Sequence, residues 1–335
     1  MNEPILTVAQ MRAAERAAMA AGTSEWELMQ RAGEGAAQWV TRVAAGRPVT
    51  VLCGPGNNGG DGYVIAETLL RNGTTVQVIV PVEPATDTAR KARTQFGGTV
   101  SAEAAPRHPV VVDCLFGYGL TRQVEGVFAA LLEQVGTRDC YRIAIDVPSA
   151  VSSDSGEVLG PLPQYDMTLA LGAWKQAHGL MPAMAAMGTR RLVPIGLDLG
   201  PVSTGFSSRP HLAVPSPDAH KYRRGLLAIV AGAMPGAPLL AAEAAMRAGA
   251  GYVKLLSEHS HPDAPAELVI EQGNFAGNLA DERISALLVG PGLGRNDDAR
   301  GRLAKALKQR LPVVLDADAL HLLGPDMLEG ADVTT

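Results

Sequence analysis

Three acidic residues stand where an apolar, strand-like run gives way to a loop or a helix. Asp61 follows the glycine-rich run in "VLCGPGNNGGDGYV", Asp113 closes "PVVVDC", and Asp146 closes "RIAID". Open α/β sheets bind their ligands at the carboxyl ends of strands. Carboxyl groups placed there can accept hydroxyls, bind a hard cation or pass protons. Each acid alone has a plainer role, capping a helix or a loop. Three of them along one sheet edge point to a site.

Gly54, Gly56 and Gly59 also satisfy Gly-x-Gly-x-x-Gly, with Glu83 after the following strand in the place of a ribose ligand. A NAD-dependent oxidoreductase is therefore one reading. Asp61 stands against it, because a carboxylate in the first helical turn competes for the N–H groups that would receive a pyrophosphate, and repels the anion. The Walker pattern fails for want of a following Lys-Ser or Lys-Thr. Asn57, Asn58 and Asp61 present amide and carboxylate oxygens instead.

Further along, Asp113 is followed by the glycine loop "LFGYGLTR" and Asp146 by Pro148 and Ser149. Lys175, in "GAWKQAHGL", either tunes a carboxyl, holds a phosphate or is a solvated surface lysine. Cys114 has no His partner in a motif to activate it, and His259 and His261 read as a polar loop without a third metal ligand. A strand-end acid contributes little to a core, so Asp113→Ala is expected to abolish turnover without unfolding the domain.

The elements that must hold these residues follow from local patterns. Thr7 with Gln10, and Ser24 with Glu27, match the capping box and start two N-terminal helices. The second carries Leu28, Met29, Ala32, Ala36 and Val40 at helical spacing. Then "VTVLC", "TVQVIV", "PVVVDCLFG", "YRIAIDV", "MTLAL" and "RRLVPIGL" alternate with helical stretches. Continuous apolar runs in this alternation predict a parallel sheet covered on both faces. The Pro- and Ser-rich stretch "PVSTGFSSRPHLAVPSPDAH" breaks the pattern and marks a boundary. A second α/β series follows, from "GLLAIVAG" to "LPVVLDADALHLL", and "GADVTT" reads as its next strand. There Gly290, Gly292 and Gly294 let backbone approach a ligand, with Asp316 and Asp318 at the corresponding strand end.

A chain of 335 residues, 47% of them hydrophobic, can bury more than one core. Its net charge of −5, with no long Lys/Arg run, excludes a nucleic-acid partner. No basic leader with an apolar block and no membrane-length apolar run occurs, so a cytoplasmic protein is expected. The three cysteines are far apart, outside any CxxC pair, and suggest neither a disulfide framework nor a zinc site.

"GPGNNGGDGYV", "DCLFGYGLTR" and "IDVPSAVSSDSG", in that order, resemble the NAD(P)H-hydrate epimerase domain over residues 4–199. From His220 to Leu323, "HKYRRGLLAIVAGAMPGAPLLAAEAAMRAGAGYV", "LLVGPGLG" and "VVLDADALHLL" resemble the ADP/ATP-dependent NAD(P)H-hydrate dehydratase, a ribokinase-like domain. The resemblance implies a Rossmann-like three-layer α/β sandwich (residues 1–205), a linker (206–219) and a partial ribokinase-like α/β domain (220–335). It implies repair of hydrated nicotinamide nucleotides: epimerisation of R- and S-NADHX or NADPHX in the first domain, and ATP- or ADP-dependent dehydration of the S form in the second.

The same resemblance implies a potassium ion on Asn58, Asp113 and Ser149. Substrate contacts would come from Asn57, Asn58, Gly59, Gly60 and Asp61, from Gly117, Tyr118, Gly119, Leu120, Thr121, Arg122 and Gln123, from Asp146, and from Gly292 in the second domain. Asp113 or Asp146 would be the acid–base group. Two departures accompany it. Ala150 stands where the family carries Gly, which matters only if that backbone needs positive φ. The family's later nucleotide-binding loops and Gly-x-Gly-Asp motif do not follow Thr335, so the expectation is an active epimerase with a second half lacking its nucleotide site and base. A non-catalytic dinucleotide-binding protein from a decayed fusion is the alternative. The Ala-rich N-terminal helices would suit self-association as a homo-oligomer.

Overall fold

Strand β1 (Glu3–Leu6) leads into two helices whose starts are set by side chains. Gln10 N–H donates to Thr7 Oγ1 while Gln10 Oε1 accepts from Thr7 N–H, and Ser24 and Glu27 repeat this reciprocal cap. Helices α1 (Val8–Ala20) and α2 (Glu25–Ala44) therefore begin where their orphan N–H groups find partners. In this computed structural model residues 3–102, 105–200, 204–207, 214, 216–221, 223–259, 261–328 and 333–334 are described. Contacts divide the chain into two units, Met1–Pro210 and His211–Thr335. Much of the linker expected over 206–219 lies outside the described residues.

In the first unit the order continues β2 (Val49–Cys53), α3 (Asn57–Arg71), β3 (Val76–Ile79), α4 (Asp87–Gln95), β4 (Val100–Ser101), β5 (Val110–Cys114) and α5 (Gly126–Thr137). Next come β6 (Tyr141–Ile145), β7 (Met167–Leu171), β8 (Trp174–Lys175), β9 (Thr189–Val193) and β10 (Gly205–Phe206). Seven strands form one parallel sheet in the order β4-β3-β2-β5-β6-β7-β9. Every residue of β2, β5 and β7 is buried, as continuous apolar runs in a sheet covered on both faces should be. Helix α2 lies close on α3, since a Cβ on Gly33 would fall 2.5 Å from the Val64 side chain.

Two features of this unit position the site. The strand order reverses between β2 and β5, and such a switch opens a crevice at the strands' carboxyl ends. Separately, β1 pairs with β8 in parallel, Leu6 opposite Lys175, and with β10 antiparallel. This three-stranded ribbon was not foreseen from sequence, because its strands are two to four residues long and β1 lies more than 160 residues from either partner. It fixes α1 beside the segment carrying Lys175.

The second unit contains β11 (Leu226–Val230), α6 (Gly236–Ala248), β12 (Tyr252–Leu256), β13 (Val269–Glu271), α7 (Phe275–Leu279) and β14 (Ile284–Val289). It continues with α8 (Asp297–Leu307), β15 (Val313–Leu315), α9 (Asp318–Leu322) and β16 (Val333–Thr334). Its six strands are parallel, in the order β13-β12-β11-β14-β15-β16, with buried clusters on both faces. The strand expected at "GADVTT" is β16.

Candidate active site

Asp146, directly after β6, has φ 69°, a left-handed conformation that costs energy for a residue with a side chain. Its surroundings hold it there. Its N–H donates to Leu169 O at 2.7 Å, and its carbonyl accepts from His178 Nε2 at 2.8 Å. Oδ2 accepts from the Tyr118 N–H at 2.9 Å, and Oδ1 accepts from Lys175 Nζ. Lys175 is fully buried and also donates to Leu171 O at 2.6 Å. The surface-lysine reading is thereby corrected: Lys175 is the cationic half of a buried ion pair.

His178 holds the backbone of this pair in place. Its Nδ1 accepts the Lys175 backbone N–H at 2.9 Å, so Nε2 carries the proton given to Asp146 O. Burial, helped by the Lys175 charge, lowers its pKa to about 4, so the ring is neutral near pH 7.

At the start of α3 the cap is Gly56, which makes no side-chain cap bond, so Asp61 is not a helix cap. Asp61 is 8% exposed, and no hydrogen bond to its carboxyl is found among the described residues. Burial, with the Asp146 and Glu15 carboxyls adding to it and Lys175 opposing, pushes its pKa well above the usual carboxylate range. Asn57 spends its amide on its neighbours: Nδ2 donates to Glu25 Oε1 at 2.7 Å and Oδ1 accepts from Thr86 Oγ1 at 2.6 Å. Asn58 differs, its Oδ1 and Nδ2 both buried without partners among the described residues. It lies against Gly117, where a Cβ would come within 3.2 Å of the Asn58 side chain and 3.1 Å of Asp146 Oδ2.

Asp113 lies deeper. It is 1% exposed, and its carboxylate accepts four donors: Leu115 N–H (3.1 Å), Ser149 Oγ (2.6 Å), Ser149 N–H (3.2 Å) and the Tyr165 hydroxyl. Burial raises its pKa while these hydrogen bonds oppose the rise. Ser149 Oγ in turn accepts from Phe116 N–H at 2.9 Å. Asp113 thus ties together the loops after β5 and β6 and the approach to β7, and it is not among the residues lining the cleft. An acid–base role for Asp113 loses its geometric basis here, because every lone pair is engaged away from the cleft.

The cleft has a volume of about 520 Å³, within the range of ligand sites. Of the sequence candidates it is lined by Asn57, Asn58, Asp61, the loop residues 117–122 and Asp146. Gly59, Gly60 and Gln123 do not line it. A Cβ on Gly59 would fall 1.9 Å from Gly54 O, and one on Gly60 2.4 Å from Met29 Cε, so the chain's own packing requires those glycines. Glu83 is exposed and also off the cleft, which removes the ribose ligand a dehydrogenase would need. Sequence reading missed one wall, formed by Met11, Arg12 and Glu15 of α1 with Glu25, Leu28 and Met29 of α2. The only available signal was Glu15 one turn beyond the buried Met11, on the same helical face.

Cys114 is buried and its thiol pKa is pushed well up by desolvation, so it is no nucleophile. Ala150 is buried without positive φ, so its methyl group is accommodated.

The second unit repeats the switch between β11 and β14. A Cβ on Gly232 would fall 1.9 Å from Leu293 O, much as one on Gly54 would fall 1.8 Å from Leu115 O in the first unit. Gly290, Gly292 and Gly294 all have positive φ. A Cβ on Gly292 would lie 2.6 Å from Met234 O, so this glycine meets the chain's own backbone. Asp318 accepts from Gly294 N–H and Arg295 Nε at 2.9 and 2.8 Å, and Arg295 lowers its pKa. Asp316 is exposed at the end of β15.

The family model described as YjeF-related protein N-terminus matches residues 25–177, and the one described as NAD(P)H-hydrate dehydratase matches residues 227–330. The bifunctional NAD(P)H-hydrate repair enzyme Nnr of Coxiella burnetii is 34% identical over 342 residues, covering 94% of this chain and 70% of the relative. The chain belongs to the bifunctional NAD(P)H-hydrate repair enzyme family. The repair enzymes of Gloeobacter violaceus (35% identical) and Salinibacter ruber (33%) align over 95% and 98% of the chain, and over 70% and 72% of their own lengths. A yeast protein, ynu0 (YNL200c), shares the fold over 60% of this chain and 96% of its own, with a TM-score of 0.51 at 21% identity. Membership in the repair-enzyme family corrects two expectations. The second half matches the dehydratase model, so the doubt drawn from the missing later motifs is not supported. The oxidoreductase reading gives way to the repair-enzyme one.

Proposed function

We propose that the first unit epimerises R- and S-NADHX or NADPHX, and that the second performs ATP- or ADP-dependent dehydration of the S form. Residues 1–205 would be the epimerase domain and 220–335 the dehydratase domain, joined by 206–219. The observation that carries the epimerase reading is the buried Lys175–Asp146 pair in a cleft at the β2/β5 switch, with Asp61 as a second carboxyl.

Epimerisation breaks the C–O bond at the hydrated ring carbon and re-forms it on the other face, while the ring nitrogen delocalises the positive charge between the two events. Two carboxyls in different environments can divide this work. Asp61, whose burial favours the protonated form, donates to the departing hydroxyl, which leaves as water. Asp146, its charge compensated by Lys175, accepts the proton released when water re-adds. Each turnover returns both carboxyls to their starting state once a proton passes between them. Asp146 thus replaces Asp113 as the base.

Asn58 Oδ1, buried without a partner among the described residues, is an acceptor that suits potassium. Asp113 and Ser149 lie off the cleft and spend their oxygens on hydrogen bonds with each other and with Leu115, Phe116 and Tyr165, so they would join the ion only by giving up some of those bonds. Bound there, the ion would supply a fixed charge that binds the loops together; no proton step passes through it. The partner class is the small-molecule substrate in a cytoplasmic setting, without nucleic acid or membrane. No helix among the described residues is long and apolar enough to cross a bilayer.

The test is to add a single purified epimer of NADHX, in potassium and then in sodium, and follow the R/S ratio by chromatography, with a parallel sample containing ATP monitored for NADH. Rapid equilibration in potassium and NADH formation with ATP are expected. An R/S ratio changing only at the spontaneous rate would overturn the epimerase reading.

A further inference from the structure

The proposed chemistry employs Asp61, Asp146 and Lys175 and leaves another carboxyl of the same cleft unused. Glu15, on α1, has no part in the glycine-loop motifs, yet it accepts the Tyr118 hydroxyl at 2.6 Å, a short bond of the charge-assisted kind. Tyr118 reaches the acid–base pair by two other routes. Its N–H donates to Asp146 Oδ2 at 2.9 Å, and the Lys175 ammonium lies 5.6 Å from its ring centroid, within cation–π range. One residue therefore touches α1, Asp146 and Lys175 together.

We infer that Glu15 is a positioning residue for epimerisation, holding Tyr118 and with it the loop of residues 117–122 against the Asp146–Lys175 pair. The inference rests on the epimerase reading. The loop needs such a tether: Tyr118 stands between Gly117 and Gly119, whose backbones resist rotation least, while Gly119, Thr121 and Arg122 are exposed. Helix α1 is itself anchored. Leu6 of β1 pairs beside Lys175, Thr7 caps the helix, and Val8 N–H donates to Asp154 Oδ1 at 2.8 Å. The loop is thus fixed from outside by an anchored helix and from inside by Asp146. Burial raises the Glu15 carboxyl's pKa and the Tyr118 bond opposes the rise, while the phenol's own pKa is pushed up, so Tyr118 remains the donor.

The experiment uses the full chain with Glu15→Ala, Tyr118→Phe, the double variant and Glu15→Gln, measuring kcat and KM for epimerisation of one NADHX epimer. Trypsin cleavage after Arg122 is followed on the same samples. Each single truncation is expected to raise KM about tenfold with a smaller change in kcat, as loss of one charge-assisted hydrogen bond would. The double variant should be no worse than either single one. Glu15→Gln, whose amide oxygen can accept the same bond, should recover most of the loss. Cleavage after Arg122 should accelerate in both truncations and not in Glu15→Gln.

Unchanged KM, additive losses, a glutamine variant no better than alanine, or cleavage equal to wild type would each overturn the inference. If Glu15→Ala fails to fold, Tyr118→Phe and Glu15→Gln carry the test. If the wild-type chain does not epimerise at all, the epimerase reading fails; the cleavage rates still decide whether Glu15 holds the loop.

Discussion

Lys175 and Asp146, 29 residues apart in sequence, form an ion pair with both side chains withdrawn from solvent. Removing one partner of a buried pair leaves the other uncompensated, which costs about 3–5 kcal/mol. Asp146→Asn keeps the shape and removes the charge. It is expected to lower the melting temperature by several degrees and to reduce epimerisation at least about 100-fold, the scale of a lost general base. Thermal unfolding and R/S equilibration on the same sample check both.

Asp61→Asn should separate stability from activity. With its folded pKa raised, Asp61 binds its proton more tightly in the native state, so it lowers stability as pH rises above its unfolded value near ~3.9. The asparagine variant has no such slope. It should match or exceed wild-type stability at pH 7, lose that advantage towards pH 4, and epimerise poorly throughout for want of a proton to give. Melting temperatures across pH 4–8 would reveal a wrong sign at once.

The expectation that Asp113→Ala would leave the fold intact is not met by the geometry. Truncation strands the Leu115 and Ser149 N–H groups and the Ser149 and Tyr165 hydroxyls, and each orphaned buried donor costs about 1–3 kcal/mol. The variant is expected to unfold at markedly lower denaturant concentration, by several kcal/mol in total, with activity lost through the fold. A midpoint equal to wild type would refute this.

His178 predicts an acid-side instability. Its folded pKa of about 4 lies below the unfolded value, so the unfolded chain takes up the proton first and stability falls as pH drops from about 6.5 towards 4. His178→Gln should flatten that part of the curve, at the cost of a weaker bond to Asp146 O. Melting temperature against pH for the two proteins is the measurement.

Local chemistry made much of the architecture legible. The capping boxes at Thr7 and Ser24, the apolar runs of β2, β5 and β7, and the helix after Gly56 depend on residues within a turn or a strand of each other, and propensity and periodicity act at that range. The acids at strand ends followed from the alternation itself, because a parallel sheet brings every strand's carboxyl end to one edge. The sequence alone thus determined the fold class and the edge that carries the site. Which side chains face the cleft was decided by contacts across tens of residues. Asp113 and Asp146 look alike in sequence, yet four donors close around the first, while Lys175 and Tyr118 leave the second beside the cleft. Glu15 reaches Tyr118 across 103 residues only because a two-residue pairing of β1 with β8 sets α1 in place. Burial and partnership are properties of the packed chain, and they alone separate a structural carboxyl from a reactive one.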